Sequence, residues 1–176
     1  MTQASNSRLA GTAYLLYVAA GMASMALPAD LRPVLGTVMS LCALALGVAL
    51  FALTSHVDRD LATAAMLCRI LEAAGRNSEI FFAIGSTIFC LLLLRGRVVH
   101  RTLASLGLIA SAGLTVLLIG QQAMGLTTNW SSPVTWVIWL PLLVFELAFA
   151  AVALANRLRL PASANDRPTQ NEAYSG

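Results

Sequence analysis

Charge is scarce in this sequence, and lysine is missing altogether. Of its 176 residues only 11% are charged, and the net charge of +3 comes from arginine alone among the strong bases. A soluble domain is about a quarter charged and about half apolar, whereas 58% of the residues here are hydrophobic. The composition therefore excludes an ordinary soluble domain and indicates a chain that resides in a lipid bilayer.

Cysteine is equally sparse. Cys42, Cys68 and Cys90 lie within apolar runs and far apart along the chain, so neither a closely spaced metal or redox pair nor a disulfide framework can be drawn. No phosphate-binding glycine loop, nucleophile and base pair, or metal-ligand spacing is present. The sequence predicts no cofactor. Because the arginines do not form one continuous basic face, it also predicts no nucleic-acid partner.

Long apolar runs account for most of the chain. A helix that spans the roughly 30 Å of hydrocarbon needs about 20 residues, and the third run would be about 50 Å long as one helix. We therefore predict a break near Gly75 to Ser78 that gives two short spans. The expected fold is all-α, an integral membrane bundle of six transmembrane helices. The runs are 9–27, 34–54, 61–94, 102–126 and 133–156.

The arginines are distributed unevenly around these spans. With six spans most of them lie on one side, which the positive-inside rule assigns to the cytoplasm, whereas five spans would put the sides in conflict. We therefore predict a multi-pass protein of the cell (inner) membrane with cytoplasmic N- and C-termini. The cytoplasmic arginines would be Arg8, Arg59, Arg95, Arg97, Arg101, Arg157, Arg159 and Arg167, and the outer ones Arg32 and Arg76.

Three segments make up the chain under this interpretation. Residues 1–8 form a polar N-terminus, 9–159 the transmembrane domain, and 160–176 a tail whose polar composition is typical of disorder. A signal peptide is the rival interpretation of the first apolar run, because an arginine precedes it and small residues near Ser24 resemble a cleavage site. Trp130, Trp136 and Trp139 are expected in an aromatic belt at the outer interface.

A resemblance to a known family rests on three stretches. Arg8 to Tyr17 places an arginine before an apolar run, Cys68 to Glu72 contains Arg-x-x-Glu, and Leu140 to Ala150 joins a proline to a glutamate. In order and spacing they resemble the bacterial multi-pass family known as domain of unknown function 4386, as does the basic stretch Leu94 to Leu106. The resemblance implies a multi-pass membrane protein and no known activity. Where that family has a longer segment between the third and fourth spans, this sequence has a tight turn.

Four charges lie on one potential helix face. Arg69, Glu72, Arg76 and Glu79 follow one another at spacings of three and four residues. With a break at Gly75, the first two stay together at membrane depth and the last two move to the interface. A charge at that depth costs several kcal/mol unless it is paired or hydrated. Arg69 and Glu72 are therefore either a functional site or an ion pair that fixes the helix register.

Glu146 is the acid of the last run. Pro141 precedes it and frees the carbonyl of Val137, which predicts a helix kink. Counting 1.5 Å per residue puts Glu146 and Arg69 at the same depth. We therefore predict that they face each other inside the bundle, with Glu72 as a second acceptor for the guanidinium group.

Three classes of function fit this pattern. The leading hypothesis is a binding or transport-like protein whose interior at Arg69, Glu72 and Glu146 accepts a small amphipathic or proton-coupled ligand, or a lipid. A homo-oligomer is compatible with it. The second is a structural or regulatory protein without a ligand. The third is an intramembrane enzyme that uses a buried carboxylate as acid or base, or a haem protein with His56 and His100 as ligands instead of plain interfacial residues.

Overall fold

All regular secondary structure in the described residues is helical. The structure is a computed structural model that describes residues 2–75, 78–126 and 133–159. The helices are α1 (Gln3–Ala26), α2 (Arg32–Thr54), α3 (Arg59–Ala73), α4 (Ser78–Arg95), α5 (Arg101–Ala123) and α6 (Pro133–Leu154), with a 3-10 turn at Ala29–Leu31. The predicted all-α class is confirmed, and the predicted tail 160–176 lies outside the described residues.

The six helices form a closed ring. Each helix packs against its neighbours in the chain, and α6 returns to pack against α1. Because the connections are short, successive helices run antiparallel. The starts of α1, α3 and α5 and the ends of α2, α4 and α6 thus share one end of the bundle. We call it the arginine-rich end, because Arg8, Arg59, Arg95, Arg97, Arg101, Arg157 and Arg159 all lie there.

Side-chain caps explain where two of the helices start. The hydroxyl of Thr2 accepts a hydrogen bond from the N–H of Ser5, so α1 begins at Gln3. Asp58 accepts a bond from the N–H of Leu61 and caps α3. The segment 1–8, which we predicted to be a polar N-terminus, is therefore mostly the first turns of α1.

The long apolar run is divided in two, as predicted. α3 ends at Ala73, Gly75 adopts a φ of 82°, which glycine tolerates best, and α4 begins at Ser78. Arg76 lies outside the described residues. With 15 residues, α3 is about 22 Å long and shorter than a bilayer core. In the ranges that the structure describes, the other five helices are long and apolar enough to cross a membrane.

Large apolar side chains cover the outside of the ring. Ile109 is 74% exposed, Val116 73% and Val137 70%. Soluble monomers rarely expose such continuous apolar surface, but lipid chains solvate it. The exposure pattern therefore agrees with five membrane-spanning helices.

Small residues let the helices approach where the charges are buried. A Cβ atom at Gly47 would lie 3.1 Å from the Cβ of Arg69, and one at Gly85 would lie 3.0 Å from the Cβ of Cys68. The backbones of α2 and α4 therefore lie directly against α3, as small residues permit in membrane helices. This contact encloses Arg69.

Candidate functional site

Arg69 is held inside the bundle by three helices. Its side chain is fully buried. Nη1 donates to Oε2 of Glu72 at 2.8 Å, the ion pair expected from their i,i+3 spacing. Nη2 donates to Oγ of Ser86 on α4 at 3.1 Å and to the hydroxyl of Tyr14 on α1 at 3.4 Å. Both terminal nitrogens of the guanidinium group therefore donate hydrogen bonds to protein atoms.

A tyrosine of α1 provides the second hydrogen-bond donor to the carboxylate of Glu72. The hydroxyl of Tyr17 donates to Oε1 of Glu72 at 2.7 Å, while Oε2 accepts from Arg69. The sequence analysis missed Tyr14, Tyr17 and Ser86 as partners. The available signal was the three-residue spacing of the tyrosines, which puts both hydroxyl groups on one face of α1.

Aromatic rings connect this pair to a neighbouring cavity. The guanidinium carbon of Arg69 lies 4.9 Å from the ring centre of Phe82, within cation–π range. Phe82 also stacks on Tyr17 at 5.9 Å and on Trp139 at 5.7 Å between ring centres. Tyr17, Phe82 and Trp139 all line the cavity. One continuous group of rings therefore contacts the buried charge and forms part of the cavity wall.

The cavity has a volume of about 700 Å³ and lies between α1, α2, α4 and α6. Small-molecule sites have about 300–1,000 Å³. Its lining comes from the end of α1 and the first parts of the other three helices, so it faces away from the arginine-rich end. Trp136 and Trp139, predicted to be in an interfacial belt, form part of its wall, and Trp130 lies outside the described residues. Glu79 and Arg32 also line the cavity, near the ends of their helices.

Glu146 is the deepest acid of the cavity. Its residue surface is only 5% exposed, and its Oε1 atom has no hydrogen-bond partner among the described residues. Pro141 lies five residues before it, and α6 continues through this proline without interruption. Among the lining residues of α6, which run from Trp136 to Glu146, Glu146 is thus the one closest to the arginine-rich end.

Glu146 and Arg69 interact only at a distance. Each contributes to the electrostatic environment of the other, but no ion pair joins them within 4.0 Å. Of the predicted cluster of Glu72, Arg69 and Glu146, only the pair of Arg69 and Glu72 is therefore formed. Glu72 reaches Arg69 because both residues lie on α3, one turn apart. Glu146 lies on α6, so its contact with Arg69 would also require a particular rotation of that helix. Nε of Arg69 has no hydrogen-bond partner in the described part of the chain.

The predicted site is thus divided into two parts. Glu146 lines the cavity, whereas Arg69 and Glu72 do not. The hypothesis of one interior lined by all three charges needs correction, because ring and hydroxyl groups from α1 and α4 enclose the pair. Of these three charged residues, only Glu146 lines the cavity.

The two histidines lie at the arginine-rich end. His56 is in the connection from α2 to α3, and His100 precedes α5. Nδ1 of His100 is hydrogen-bonded to the hydroxyl of Thr102. In the ranges 2–75, 78–126 and 133–159, no three side chains of His, Cys, Asp or Glu are grouped as a metal site.

Comparisons with family models, curated proteins and solved structures found no match to this chain. The resemblance to domain of unknown function 4386 stays a prediction. Function is therefore argued from the cavity and its side chains.

Proposed function

We propose that this chain is a six-span protein of a bacterial inner membrane that binds a small amphipathic ligand in the cavity beside Glu146. One observation carries the proposal: an apolar cavity of about 700 Å³ contains a carboxylate oxygen that is buried and without a protein partner. Leaving such an acceptor unpaired costs about 1–3 kcal/mol. A ligand that donates a hydrogen bond to Oε1 recovers this free energy on binding.

The lining supports a ligand with an apolar body and a donor group at one end. Phe82, Trp136 and Trp139 offer aromatic surface, which binds apolar groups and also stabilises cations. An ionised carboxylate accepts hydrogen bonds and donates none. We therefore propose an amine or another donor as the head group, bound at Glu146, with the apolar body toward the mouth.

Six crossings are the arrangement that the packing supports. α3 is short, yet it packs between α2 and α4, and its buried Arg69 contacts α1 and α4 as well. A helix lying on the membrane surface would not be enclosed in this way. Charged residues at its ends, such as Arg59, can extend toward the interface and compensate for its length. With six crossings, the positive-inside rule puts the arginine-rich end and both termini in the cytoplasm.

A structural role is the second candidate, and it fits the other half of the predicted site. Arg69 and Glu72 are buried, satisfied by α1 and α4, and absent from the cavity lining. Such a pair fixes the rotation of three helices relative to one another. We propose that the pair holds the wall of the cavity while Glu146 contacts the ligand.

Mass spectrometry of the purified protein in nanodiscs tests the binding function. Gly21 lines the cavity, so Gly21→Leu should fill part of it and remove a co-purifying molecule. Gly113→Leu is the matched control, because a Cβ atom there meets nothing within 4 Å. Loss of the molecule in Gly21→Leu alone supports the proposal. Equal occupancy in both variants, or no molecule in the wild type together with no binding of a long-chain amine, would overturn it.

A further inference from the structure

A second site lies at the arginine-rich end, away from Glu146, and does not depend on the proposed function. The chain that follows α6 returns to the connection between α4 and α5. There the backbone N–H of Arg159 donates to the carbonyl of Val98 at 2.8 Å. Val98 and Val99 are buried, with 0% and 3% exposure. This bond and these two side chains fix the position of the α4–α5 connection and hold Arg159 beside it.

The result is a concave pocket of about 300 Å³ with a strongly basic lining. Its lining residues are Arg97, Val99, His100, Arg101 and Arg159. The lining contains no acid, and the three arginines are exposed. Within the described residues, none of their side chains forms a hydrogen bond or an ion pair. We call this site the arginine pocket.

The positive charge concentrated in this pocket attracts anions. Three guanidinium groups around one concavity repel each other, and no carboxylate of the described residues offsets them. The first turn of α5 adds to the positive potential, because His100 precedes it without a side-chain cap and its N–H groups point toward the pocket end of the helix. A guanidinium group can donate two parallel hydrogen bonds to two oxygens of one phosphate group.

We propose that the arginine pocket binds a phosphate group, carried either by the head group of an anionic phospholipid or by a soluble phosphate. The position at the junction of α4, α5 and α6 is compatible with a head group, because these helices present an apolar outer surface next to it. Leu106, one turn into α5, is 37% exposed. A lipid bound here would keep its acyl chains along α5 and its phosphate between the three arginines.

Lipid titration followed by native mass spectrometry tests this site with the intact chain. The probes are phosphatidylglycerol, phosphatidylcholine and inorganic phosphate. The variants are Arg97→Gln, Arg101→Gln and Arg159→Gln, singly and together. A juxtamembrane arginine contributes about a fivefold change in affinity for an anionic lipid, so each single variant should weaken phosphatidylglycerol binding about fivefold and the triple variant about a hundredfold.

Arg157→Gln is the matched control, because Arg157 is exposed, lies two residues from Arg159 and does not line the pocket. It should weaken binding less than each of the three pocket variants does, because its side chain does not line the pocket. Competition by inorganic phosphate at similar concentration would identify a soluble phosphate as the ligand, whereas preference for phosphatidylglycerol would identify the lipid. The proposal would be overturned if the triple variant bound phosphatidylglycerol and inorganic phosphate as tightly as the wild type does. It would also be overturned if Arg157→Gln lost as much affinity as the pocket variants. If the triple variant does not fold, the phosphatidylglycerol affinities of the three single variants are compared with that of Arg157→Gln instead.

Discussion

The hydroxyl of Tyr17 on α1 donates to Oε1 of Glu72 on α3 at 2.7 Å, across 55 residues of sequence. This bond completes the coordination of a carboxylate whose other oxygen already holds Arg69. The first helix is thereby connected to the buried ion pair of Arg69 and Glu72. The stability of the bundle should depend on this hydroxyl group.

Tyr17→Phe should therefore destabilise the protein by about 1–3 kcal/mol, because a buried acceptor of Glu72 loses its donor while the ring remains. Tyr14→Phe is the matched comparison, since its hydroxyl oxygen lies 3.4 Å from Nη2 of Arg69 and forms the weaker bond. We expect the smaller loss there. Thermal unfolding of both variants in the same detergent measures the difference, and an equal or reversed order would contradict this account.

Arg69→Ala should cost more than the loss of any exposed arginine. Removing one partner of a buried ion pair typically costs about 3–5 kcal/mol, because the other charge stays buried. Arg95, which is exposed at the end of α4, provides the control Arg95→Ala. The double variant Arg69→Met with Glu72→Met should recover much of the stability, since neither charge remains.

Unfolding in denaturant with a mild detergent gives these free energies. Should the double variant be as unstable as Arg69→Ala, the loss would reflect packing of the long side chain and not an uncompensated carboxylate. Equal stability of Arg69→Ala and Arg95→Ala would show that the pair contributes little.

Two glycines of α5 should respond in opposite directions to alanine. A Cβ atom at Gly107 would lie 2.6 Å from Phe145 and 2.8 Å from Sγ of Cys90, whereas one at Gly113 meets nothing within 4 Å. Gly107→Ala should thus cost about 1–3 kcal/mol by overpacking. Gly113→Ala should gain about 0.5–1 kcal/mol, because alanine is the better helix former. Thermal stability of both variants checks the sign, and a loss in both would contradict the lipid-facing position of Gly113.

Local periodicity predicted some features of the molecule and missed others. The break near Gly75 followed from length, and the pairing of Arg69 with Glu72 followed from the three-residue spacing. The counted depth of Glu146 said nothing about the rotation of α6 around its axis. That rotation depends on packing between helices, such as the contact of Phe145 with Gly107. The cavity depends on the same rotations. The spacing of Tyr14 and Tyr17 put both hydroxyl groups on one face of α1, but which helix that face contacts also depends on these rotations.

Cysteine labelling distinguishes six crossings from five. Ser5, Thr102 and Ala29 are exposed and uncharged, and Cys68→Ala removes the half-buried native thiol that could react. If α3 crosses the membrane, Ser5→Cys and Thr102→Cys should label from the cytoplasmic side and Ala29→Cys from the other. If α3 does not cross, Thr102→Cys would label from the side of Ala29→Cys.

Glu72 and Glu146 should respond differently to the same substitution. Both residues are 5% exposed, but Glu72 accepts bonds from Arg69 and Tyr17, whereas Oε1 of Glu146 has no partner among the described residues. Glu72→Gln replaces a paired carboxylate and should cost about 1–3 kcal/mol. Glu146→Gln replaces a buried carboxyl group that no ion pair offsets with a neutral amide of the same size, so the ligand-free protein should keep or gain thermal stability.

Ligand binding should show the reverse order. A long-chain primary amine should raise the melting temperature of the wild type through its contact with Glu146, because a ligand that binds only the folded state stabilises it. The shift should be much smaller in Glu146→Gln and should persist in those Glu72→Gln molecules that remain folded. A long-chain alcohol of the same length separates the amine head group from the apolar body. If the amine shifts the wild type and Glu146→Gln equally, the carboxylate does not contact the ligand, and the cavity binds by its apolar walls alone.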